Sequence, residues 1–295
     1  MAAQRPAWLI LAPFIFLCLW SGGYTVAKIG LIHAEPMTLL ALRYFLVVAI
    51  MAVFFVVLRP ALPKTPAEWL HLAMVGFLIQ TIYFGLTYLA LRADVAAGTV
   101  ALLMSLQPIL VGLTAPRWTG EAIGWRRWAG LALGLLGAAI VIIARSSVEA
   151  PSLIGFTFAV LGLLGITAGT LWEKRFGLSH HPVTANLVGF AAGLLGILPL
   201  MFWLETMQVR WSFEFVAALS YLVIGNSVIA TGLLLAMIRA GDVSRVSALF
   251  FLVPPLAALL AWLMLGEVMP PLAWGGMAVA AIGVLIATRD GAARG

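Results

Sequence analysis

Residues 92–121 read RADVAAGTVALLMSLQPILVGLTAPRWTGE, and residues 239–267 read RAGDVSRVSALFFLVPPLAALLAWLMLGE. Both segments open with Arg-Ala, continue through Asp-Val into an apolar run with proline near its middle, and close with Gly-Glu. Matching residues lie 146 to 148 positions apart, from Glu121 and Glu267 at one limit to Asp94 and Asp242 at the other. Ordered similarity over this length indicates an internal repeat, and the rest of the chain is interpreted from it.

The composition indicates a protein that is solvated by lipid. Mean hydropathy is +1.10, and 63% of residues are hydrophobic while 9% are charged, whereas soluble domains carry about a quarter charged residues. The net charge of +6 arises from basic residues that stand singly at the ends of apolar runs. This pattern is typical of membrane topology and does not indicate a nucleic-acid surface. We therefore expect the lipid bilayer as a partner and no nucleic acid.

Ten apolar segments follow one another along the chain, each long enough as a helix to cross a hydrocarbon core of about 30 Å. The sequence therefore predicts an all-α polytopic membrane protein with ten transmembrane helices. Because the repeat includes the first segment, we expect a retained helix there and not a cleaved signal. The predicted spans are residues 8–28, 36–58, 68–91, 95–117, 124–144, 152–176, 182–204, 213–238, 243–265 and 271–288.

The basic residues predict the orientation of these spans. With the N-terminus in the cytoplasm, twelve of the 17 Lys and Arg residues fall on the cytoplasmic side and four on the outer side, with Arg43 inside a span. The positive-inside rule favours this orientation over its reverse. We expect both termini to be cytoplasmic.

A shift of 146 residues aligns the two halves of the chain. It places Gly23 on Gly169, Lys28 on Lys174, Pro36 on Pro182, Pro108 on Pro254, Glu121 on Glu267, Trp128 on Trp274 and Gly137 on Gly283. We predict two five-helix repeats, residues 1–148 and 149–295, within one transmembrane unit. Because five is odd, the second repeat enters the membrane from the opposite side, and such inverted repeats are typical of carriers that work by alternating access.

The doubled segment and two glycine-rich final helices carry a resemblance to a known family. These helices read GWRRWAGLALGLLGAAIVI at residues 124–142 and PPLAWGGMAVAAIGVLIA at residues 270–287. The chain resembles the EamA-type branch of the drug/metabolite transporter superfamily over nearly its whole length, and looks most like aromatic-amino-acid exporters of the YddG kind. The resemblance implies export of a small metabolite, an aromatic or other neutral amino acid, across the bacterial inner membrane. Purines, phosphorylated sugars and drugs remain alternative cargoes.

Polar and aromatic residues near the middle of several spans predict a cargo pocket, because polar side chains in hydrocarbon are costly and mark a protein-lined or water-filled path. Amides, hydroxyls and rings suit an amphipathic, roughly neutral solute. The alternative is that they only join helices. The candidate cargo-binding residues are Trp20, Tyr24, Gln80, Tyr83, Tyr88, Ser105, Gln107, Trp172, Asn226 and Ser227.

Prolines near the centre of the fourth and ninth spans predict bends. Proline in a helix interior removes one hydrogen bond and kinks the helix. Matched positions in both repeats favour hinges at Pro108, Pro254 and Pro255, while the alternative is that the kinks only set helix packing.

Charged residues near helix ends have structural interpretations. We expect Glu121 and Glu267 to cap the helix that follows each of them, with a gate contact to Arg126 or Arg127 as the alternative for Glu121. Lys28 and Lys174 are expected to anchor helix ends. Arg43, about two turns inside the second span, is expected to snorkel outward or to join helices. If it faced the pocket instead, it would attract a carboxylate.

Enzyme chemistry has little support in the sequence. The four histidines lie in loops or at helix ends, and neither H-E-x-x-H nor G-x-x-x-x-G-K-[ST] occurs. A membrane-embedded transferase remains the alternative from another class. We expect a monomer without cofactor or metal, and Cys18 as a packing residue. Because none of the eleven acidic residues lies near mid-span, we also expect a facilitator without an obligatory proton.

Overall fold

Apolar runs form helices throughout the residues that the computed structural model describes, which are 8–114, 125–146, 152–176, 180–239 and 252–289. Six helices in these ranges are long and apolar enough to cross a membrane, and four shorter apolar helices accompany them. A helix satisfies its own backbone N–H and C=O groups, which lipid cannot do for it. The predicted all-helical, multi-pass membrane architecture is therefore confirmed.

Two long helices open the described chain, and the third span follows as three continuous segments. The long helices are α1 (Trp8–Gly30) and α2 (Pro36–Leu58). The third span runs from α3 (Pro66–Gly76) through a π-helical segment, π1 (Phe77–Tyr83), into α4 (Phe84–Arg92).

The fourth span is divided into two short helices. α5 (Ala97–Met104) ends at a turn formed by Ser105 and Leu106, and α6 (Gln107–Thr114) begins directly after it. Pro108 occupies the first turn of α6, where its missing N–H costs no intrahelical bond. In place of the kink predicted within a continuous helix, the structure has a two-residue turn, after which a second helical segment begins.

The second half of the chain contains a second π-helical segment within a long span. Pro254 and Pro255 lie in the first turn of its penultimate helix, again a position that tolerates proline. The elements are α7 (Trp125–Ser146), α8 (Leu153–Phe176), α9 (Pro182–Leu204), α10 (Phe213–Ser220), π2 (Tyr221–Ala230), α11 (Thr231–Arg239), α12 (Val253–Leu265) and α13 (Pro271–Arg289).

Hydroxyl side chains begin the two spans that contain π segments. Thr65 Oγ1 accepts a hydrogen bond from Glu68 N at 3.3 Å, and Ser212 Oγ accepts one from Phe215 N at 3.1 Å. Each bond satisfies an N–H group that the first helical turn leaves without a partner. Both spans therefore start at a residue that fixes their register.

Glycines bring α7 and α13 into close contact along their length. A Cβ atom on Gly276 would stand 2.8 Å from Gly137 O, and one on Gly283 would stand 2.7 Å from Gly130 O. Any side chain at these positions would push the helices apart. These glycines are scaffold residues, as small residues at close helix crossings in membranes generally are.

Several connections are fastened together at one end of the bundle, here called the tied end and comprising residues 31–35, 93–96, 205–212 and 266–270. The Glu205 carboxylate accepts hydrogen bonds from Met37 N at 2.6 Å and Thr38 N at 2.7 Å, at the start of α2. Glu35 in turn accepts from Thr206 N at 2.8 Å. The carboxylate of each connection thus accepts hydrogen bonds from the other one's neighbourhood. Together the two contacts hold the start of α2 next to the end of α9.

Glu267 belongs to the tied end but does not cap α13, so that expectation is wrong. Its Oε1 lies 2.6 Å from Lys28 Nζ, and its Oε2 accepts from Ala97 N at 3.3 Å. The carboxylate therefore joins the last turn of α1 to the first turn of α5. Glu121, its counterpart in the first half, lies outside the described residues.

Candidate functional site

A pocket opens in the interior of the bundle between α1, α2, α4 and π2, and is called the central pocket here. About 350 Å³ of space between atoms, open solvent included, lies within it. Its lining combines rings, polar groups and small or aliphatic residues. These residues are Trp20, Gly23, Tyr24, Ala27, Arg43, Tyr83, Phe84, Thr87, Tyr88, Leu91 and Asn226.

Arg43 is the charged residue of this lining, and 2% of its surface is exposed. Its Nη1 donates to Tyr88 Oη at 2.9 Å, and its Nη2 donates to Asn226 Oδ1 at 2.9 Å. Both Nε and Nη2 approach Ser227 Oγ at 3.0 Å. The guanidinium carbon lies 4.8 Å from the centre of the Phe84 ring, as in a cation–π contact.

The position of Arg43 decides between the roles that the sequence left open. Snorkelling is wrong, because the side chain is buried among α4 and π2. Its hydrogen bonds join α2 to π2, as the helix-joining interpretation predicted. At the same time the residue faces the central pocket, so joining helices and lining the pocket are not alternatives here.

Two tyrosine hydroxyls meet at the pocket wall. Tyr24 Oη and Tyr83 Oη lie 3.2 Å apart, and both side chains are buried. Tyr24 comes from α1, and Tyr83 ends π1. Because one hydroxyl donates and the other accepts, the pair keeps further hydrogen-bonding capacity for a molecule in the pocket.

Groups in both π segments form hydrogen bonds with side chains of α2. Tyr44 Oη donates to the backbone carbonyl of Gln80 in π1 at 2.7 Å. In π2, Ser227 Oγ lies 2.9 Å from Leu222 O, five residues earlier, while also accepting from Arg43. π-helical turns within α-helices are frequent at functional sites.

A glycine permits the approach of α1 to π2 next to the pocket. A Cβ atom on Gly23 would stand 2.7 Å from Asn226 Nδ2. The Asn226 amide donates to Leu19 O at 3.2 Å while its oxygen accepts from Arg43. Glycine at position 23 therefore lets one amide connect α1 and α2.

Six of the ten residues proposed from the sequence come together. Five of them line the central pocket, and Ser227 stands directly behind it as a partner of Arg43. The five are Trp20, Tyr24, Tyr83, Tyr88 and Asn226.

Three other candidates make contacts elsewhere in the bundle. Ser105 donates to the carbonyl of Leu102 at 2.6 Å within its own turn. Gln107 Nε2 donates to Thr170 Oγ1 at 2.8 Å and so joins α6 to α8. Trp172 packs its ring 4.8 Å from that of Phe176, by centroids.

Gln80 lies at a second crevice, between π1, α8 and α9, with about 490 Å³ of space between atoms including open solvent. Glu173, Asn186 and Gly189 contribute to the same crevice. The Gln80 Oε1 atom is buried and has no hydrogen-bond partner among the described residues. The structure therefore places Gln80 and Tyr83 in different pockets, although Tyr83 follows Gln80 by only three positions in the sequence.

The candidate cargo-binding residues omitted other residues of the central pocket, including Phe84, Gly23 and Arg43. Phenylalanine in a span gives no sign of whether it faces lipid or protein, so nothing marked Phe84. A lone basic residue inside a span did mark Arg43, but depth along a helix does not reveal which face it occupies. No group of three His, Cys, Asp or Glu that could hold a metal occurs among the described residues.

Comparison with known proteins adds family relationships to this geometry. The model of the EamA-like transporter family matches residues 7–143 and again residues 153–289. A relative from Salmonella typhimurium, named "Probable amino-acid metabolite efflux pump", is 25% identical over 283 residues, which cover 92% of each chain. Another from Streptantibioticus cattleyicolor, named "Probable terminal-alkyne amino-acid exporter", is 30% identical over 209 residues, which cover 67% of this chain and 66% of the relative.

A solved crystal structure has a similar fold. It superimposes with a TM-score of 0.62 and 18% sequence identity, covering 97% of this chain and 99% of the other. At this level of identity the similarity concerns the fold alone.

Proposed function

The chain belongs to the EamA-like transporter family, and we propose that it exports small metabolites, amino acids in particular, by alternating access through the central pocket. The predicted family resemblance is confirmed by the match over both halves of the chain. Since its relatives are named transporters or efflux pumps, the protein is a membrane transporter and not an enzyme.

The observation that carries the proposal is the lining of the central pocket. Rings of Trp20, Tyr24 and Phe84 offer contact area for an apolar body, while Tyr83 and Asn226 offer hydroxyl and amide groups. An amino acid with an apolar side chain combines these two requirements. The names of the Salmonella and Streptantibioticus relatives support the same class of cargo.

An inverted repeat supports alternating access, since exchange of conformation between two such halves opens a pocket to each side in turn. The six long and four short apolar helices support ten spans, arranged as residues 1–148 and 149–295. Contacts between α7 and α13 support a two-fold relation between the halves. A shift of 146 residues exchanges the contact of Gly137 with Gly276 and Ala280 for the contact of Gly283 with Gly130 and Gly134.

The charge distribution supports a cytoplasmic N-terminus, in a bacterial inner membrane. In that orientation the tied end faces outward, because α1 runs from the cytoplasmic side to residue 30. In this conformation the pocket is then closed to the outside. The contacts that close it are the Lys28–Glu267 ion pair and the bonds of Glu205 to the start of α2. Cargo enters from the cytoplasm, and release follows when the tied end opens. The break before Pro108 and the start of α12 at Pro254 are the proposed hinges of this motion.

Transport down the gradient of the cargo itself requires no proton. The described acidic residues lie in connections or near helix ends: Glu35, Glu68, Asp94, Glu173, Glu205, Glu214 and Glu267. Proton-coupled carriers place a titratable group deep in the membrane. We therefore expect a facilitator.

Purified protein in liposomes tests the proposal. Vesicles loaded with unlabelled L-phenylalanine are diluted into labelled L-phenylalanine, and counterflow is measured with and without ionophores that collapse the pH gradient and the membrane potential. We expect labelled amino acid to accumulate transiently in both conditions, and protein-free vesicles to show none. Absence of counterflow for phenylalanine, leucine and other neutral amino acids contradicts amino-acid export, whereas counterflow lost only with ionophores contradicts the facilitator.

A further inference from the structure

Arg43 carries a permanent charge deep in the bundle. α2 begins at Pro36, and Arg43 follows seven residues later. This spacing corresponds to about 10 Å along the helix axis. A guanidinium stays protonated in proteins, and burying an unpaired ion costs several kcal/mol. Groups around the guanidinium must therefore compensate this charge.

The chain compensates the charge with neutral groups. The acceptors of Arg43 are the Tyr88 hydroxyl, the Ser227 hydroxyl and the Asn226 amide oxygen. Among the described residues, the ion pairs involve Lys28, His33 and His180, and none of them includes Arg43. These bonds are already strengthened by the charge of the donor, and a carboxylate would add the direct attraction of an opposite charge, which is large away from bulk water. A carboxylate in the central pocket is thus a better partner for Arg43 than the hydroxyls it now has.

The guanidinium keeps hydrogen-bonding capacity for such a partner. Arg43 forms part of the pocket wall, and four hydrogen bonds serve its five N–H groups, two of them to the same Ser227 oxygen. Trp20 and Tyr24 line the same pocket. A solute whose carboxylate meets Arg43 can therefore place an apolar body against these rings.

We propose that Arg43 is the carboxylate anchor of the central pocket and that it selects cargo with one anionic group next to an apolar body. This inference rests on the proposed amino-acid transport, and its test therefore uses phenylalanine as the probe. Arg43 joins α2 to π2 through neutral acceptors when the pocket is empty. Arriving cargo replaces at least one of those acceptors, so binding loosens a connection between the two halves.

A purely structural role for Arg43 makes a different prediction. If the residue only joined α2 to π2, its loss would lower the amount of folded protein or the transport of every solute alike. An anchor instead changes which solutes are preferred. The preference for an acid over the matching amide is therefore the decisive quantity, because phenylalanine and phenylalaninamide differ in the carboxylate and share the ring and the ammonium group.

The experiment measures inhibition of phenylalanine counterflow by each of the two compounds in liposomes. For the unchanged protein we expect phenylalanine to compete at least tenfold better than phenylalaninamide. Arg43→Gln should bring this ratio close to one, and Arg43→Lys should keep part of the preference. Arg92→Gln is the matched control, since Arg92 is exposed at the end of α4 and donates to Leu31 O, and it should keep the full ratio.

Binding without transport separates failure of this inference from failure of the proposed function. Phenylacetate should raise the melting temperature of the detergent-purified protein more than phenylacetamide does, and the difference should disappear in Arg43→Gln. Amino-acid counterflow with an equal response to acid and amide in the unchanged protein overturns the anchor and leaves the function intact. Preferential binding of phenylacetate without amino-acid counterflow supports the anchor and overturns the proposed cargo. If Arg43→Gln does not fold, the acid-to-amide ratio of the unchanged protein and of Arg43→Lys decides.

Discussion

Tyr24 and Tyr83 meet at their hydroxyls, 3.2 Å apart, in the wall of the central pocket. Tyr44, one position after Arg43 on α2, has the same side chain but donates to a backbone carbonyl of π1 outside the pocket lining. The two kinds of tyrosine bond have different purposes. In the proposed function the first presents polar atoms to cargo, whereas the second holds α2 against π1.

We expect Tyr83→Phe to raise the half-saturating concentration of cargo about two- to tenfold, because one hydrogen bond contributes about 0.5–1.5 kcal/mol. Thermal stability should change little. Tyr44→Phe is the matched control, and it should lower the melting temperature while leaving apparent affinity nearly unchanged. Counterflow kinetics and thermal unfolding in detergent measure the two effects, and parallel losses in both variants would contradict the distinction.

Polarity in the sequence indicated some of the residues that line the central pocket but did not separate them from polar residues elsewhere. Trp20, Tyr24, Tyr83 and Asn226 are polar or amphipathic side chains in spans, and the structure gathers them in one pocket. Gln80 had the same mark but lies at another crevice. Gln80 lies within π1, whose i→i+5 bonding differs from the α-helical spacing that the sequence prediction assumed.

At the scale of elements, helices of this protein are interrupted without leaving their spans. π1 and π2 widen two spans, and the turn at Ser105 and Leu106 divides a third. Apolar runs predicted helices correctly in the described residues, since hydrocarbon demands internal hydrogen bonding. The π segments were not predicted, because no residue type is specific to them. The proline at position 108 predicted an interruption of the helix. Its presence alone does not show whether one helix bends or two helical segments form.

Close contact of α7 and α13 provides a test at this scale. Gly276→Ala places a methyl group where Gly137 O lies 2.8 Å away, whereas Gly275 has no atom within 4 Å of the same position. We expect Gly276→Ala to lower stability by about 1–3 kcal/mol through overpacking. Gly275→Ala, on the same helix, should be neutral or slightly stabilising, because alanine favours helix more than glycine does.

Thermal unfolding of the two purified variants, together with the amount of folded protein recovered, measures this difference. Equal behaviour of the two alanine variants would show that α7 and α13 adjust without strain, and the close approach would then have no structural importance.

At the scale of the whole molecule, the tied end holds together segments that are far apart in the sequence. Lys28 and Glu267 lie 2.6 Å apart, with side chains that are 20% and 9% exposed. This partial burial makes the ion pair less screened than one on an open surface. If the tied end closes the pocket to the outside, breaking this pair should favour the opposite conformation.

We expect Glu267→Gln to increase the rate at which a membrane-impermeant maleimide, applied from outside, labels a cysteine placed in the pocket wall. Ala27→Cys in a Cys18→Ala background supplies that cysteine, because Ala27 lines the pocket and is 1% exposed. The double exchange Lys28→Glu with Glu267→Lys should restore slow labelling. Lys64→Gln, far along the chain in an exposed loop, serves as the control.

Unchanged labelling in Glu267→Gln would mean that the ion pair does not control access. Faster labelling that the charge exchange fails to restore would assign the effect to the hydrogen bond from Ala97 N instead. The sequence had marked both charged residues as helix-end features, but only folding reveals that the two ends meet.

In the proposed carrier, the buried guanidinium of Arg43 also determines which ions are excluded from the empty central pocket. A fixed positive charge in a medium of low dielectric constant repels other cations strongly, and channels and pores use arginine in this way to exclude protons. If cargo crosses the central pocket as proposed, we therefore expect the empty pocket to give no easy passage to sodium, potassium or hydronium ions. Such a carrier could be abundant in a membrane without dissipating the membrane potential.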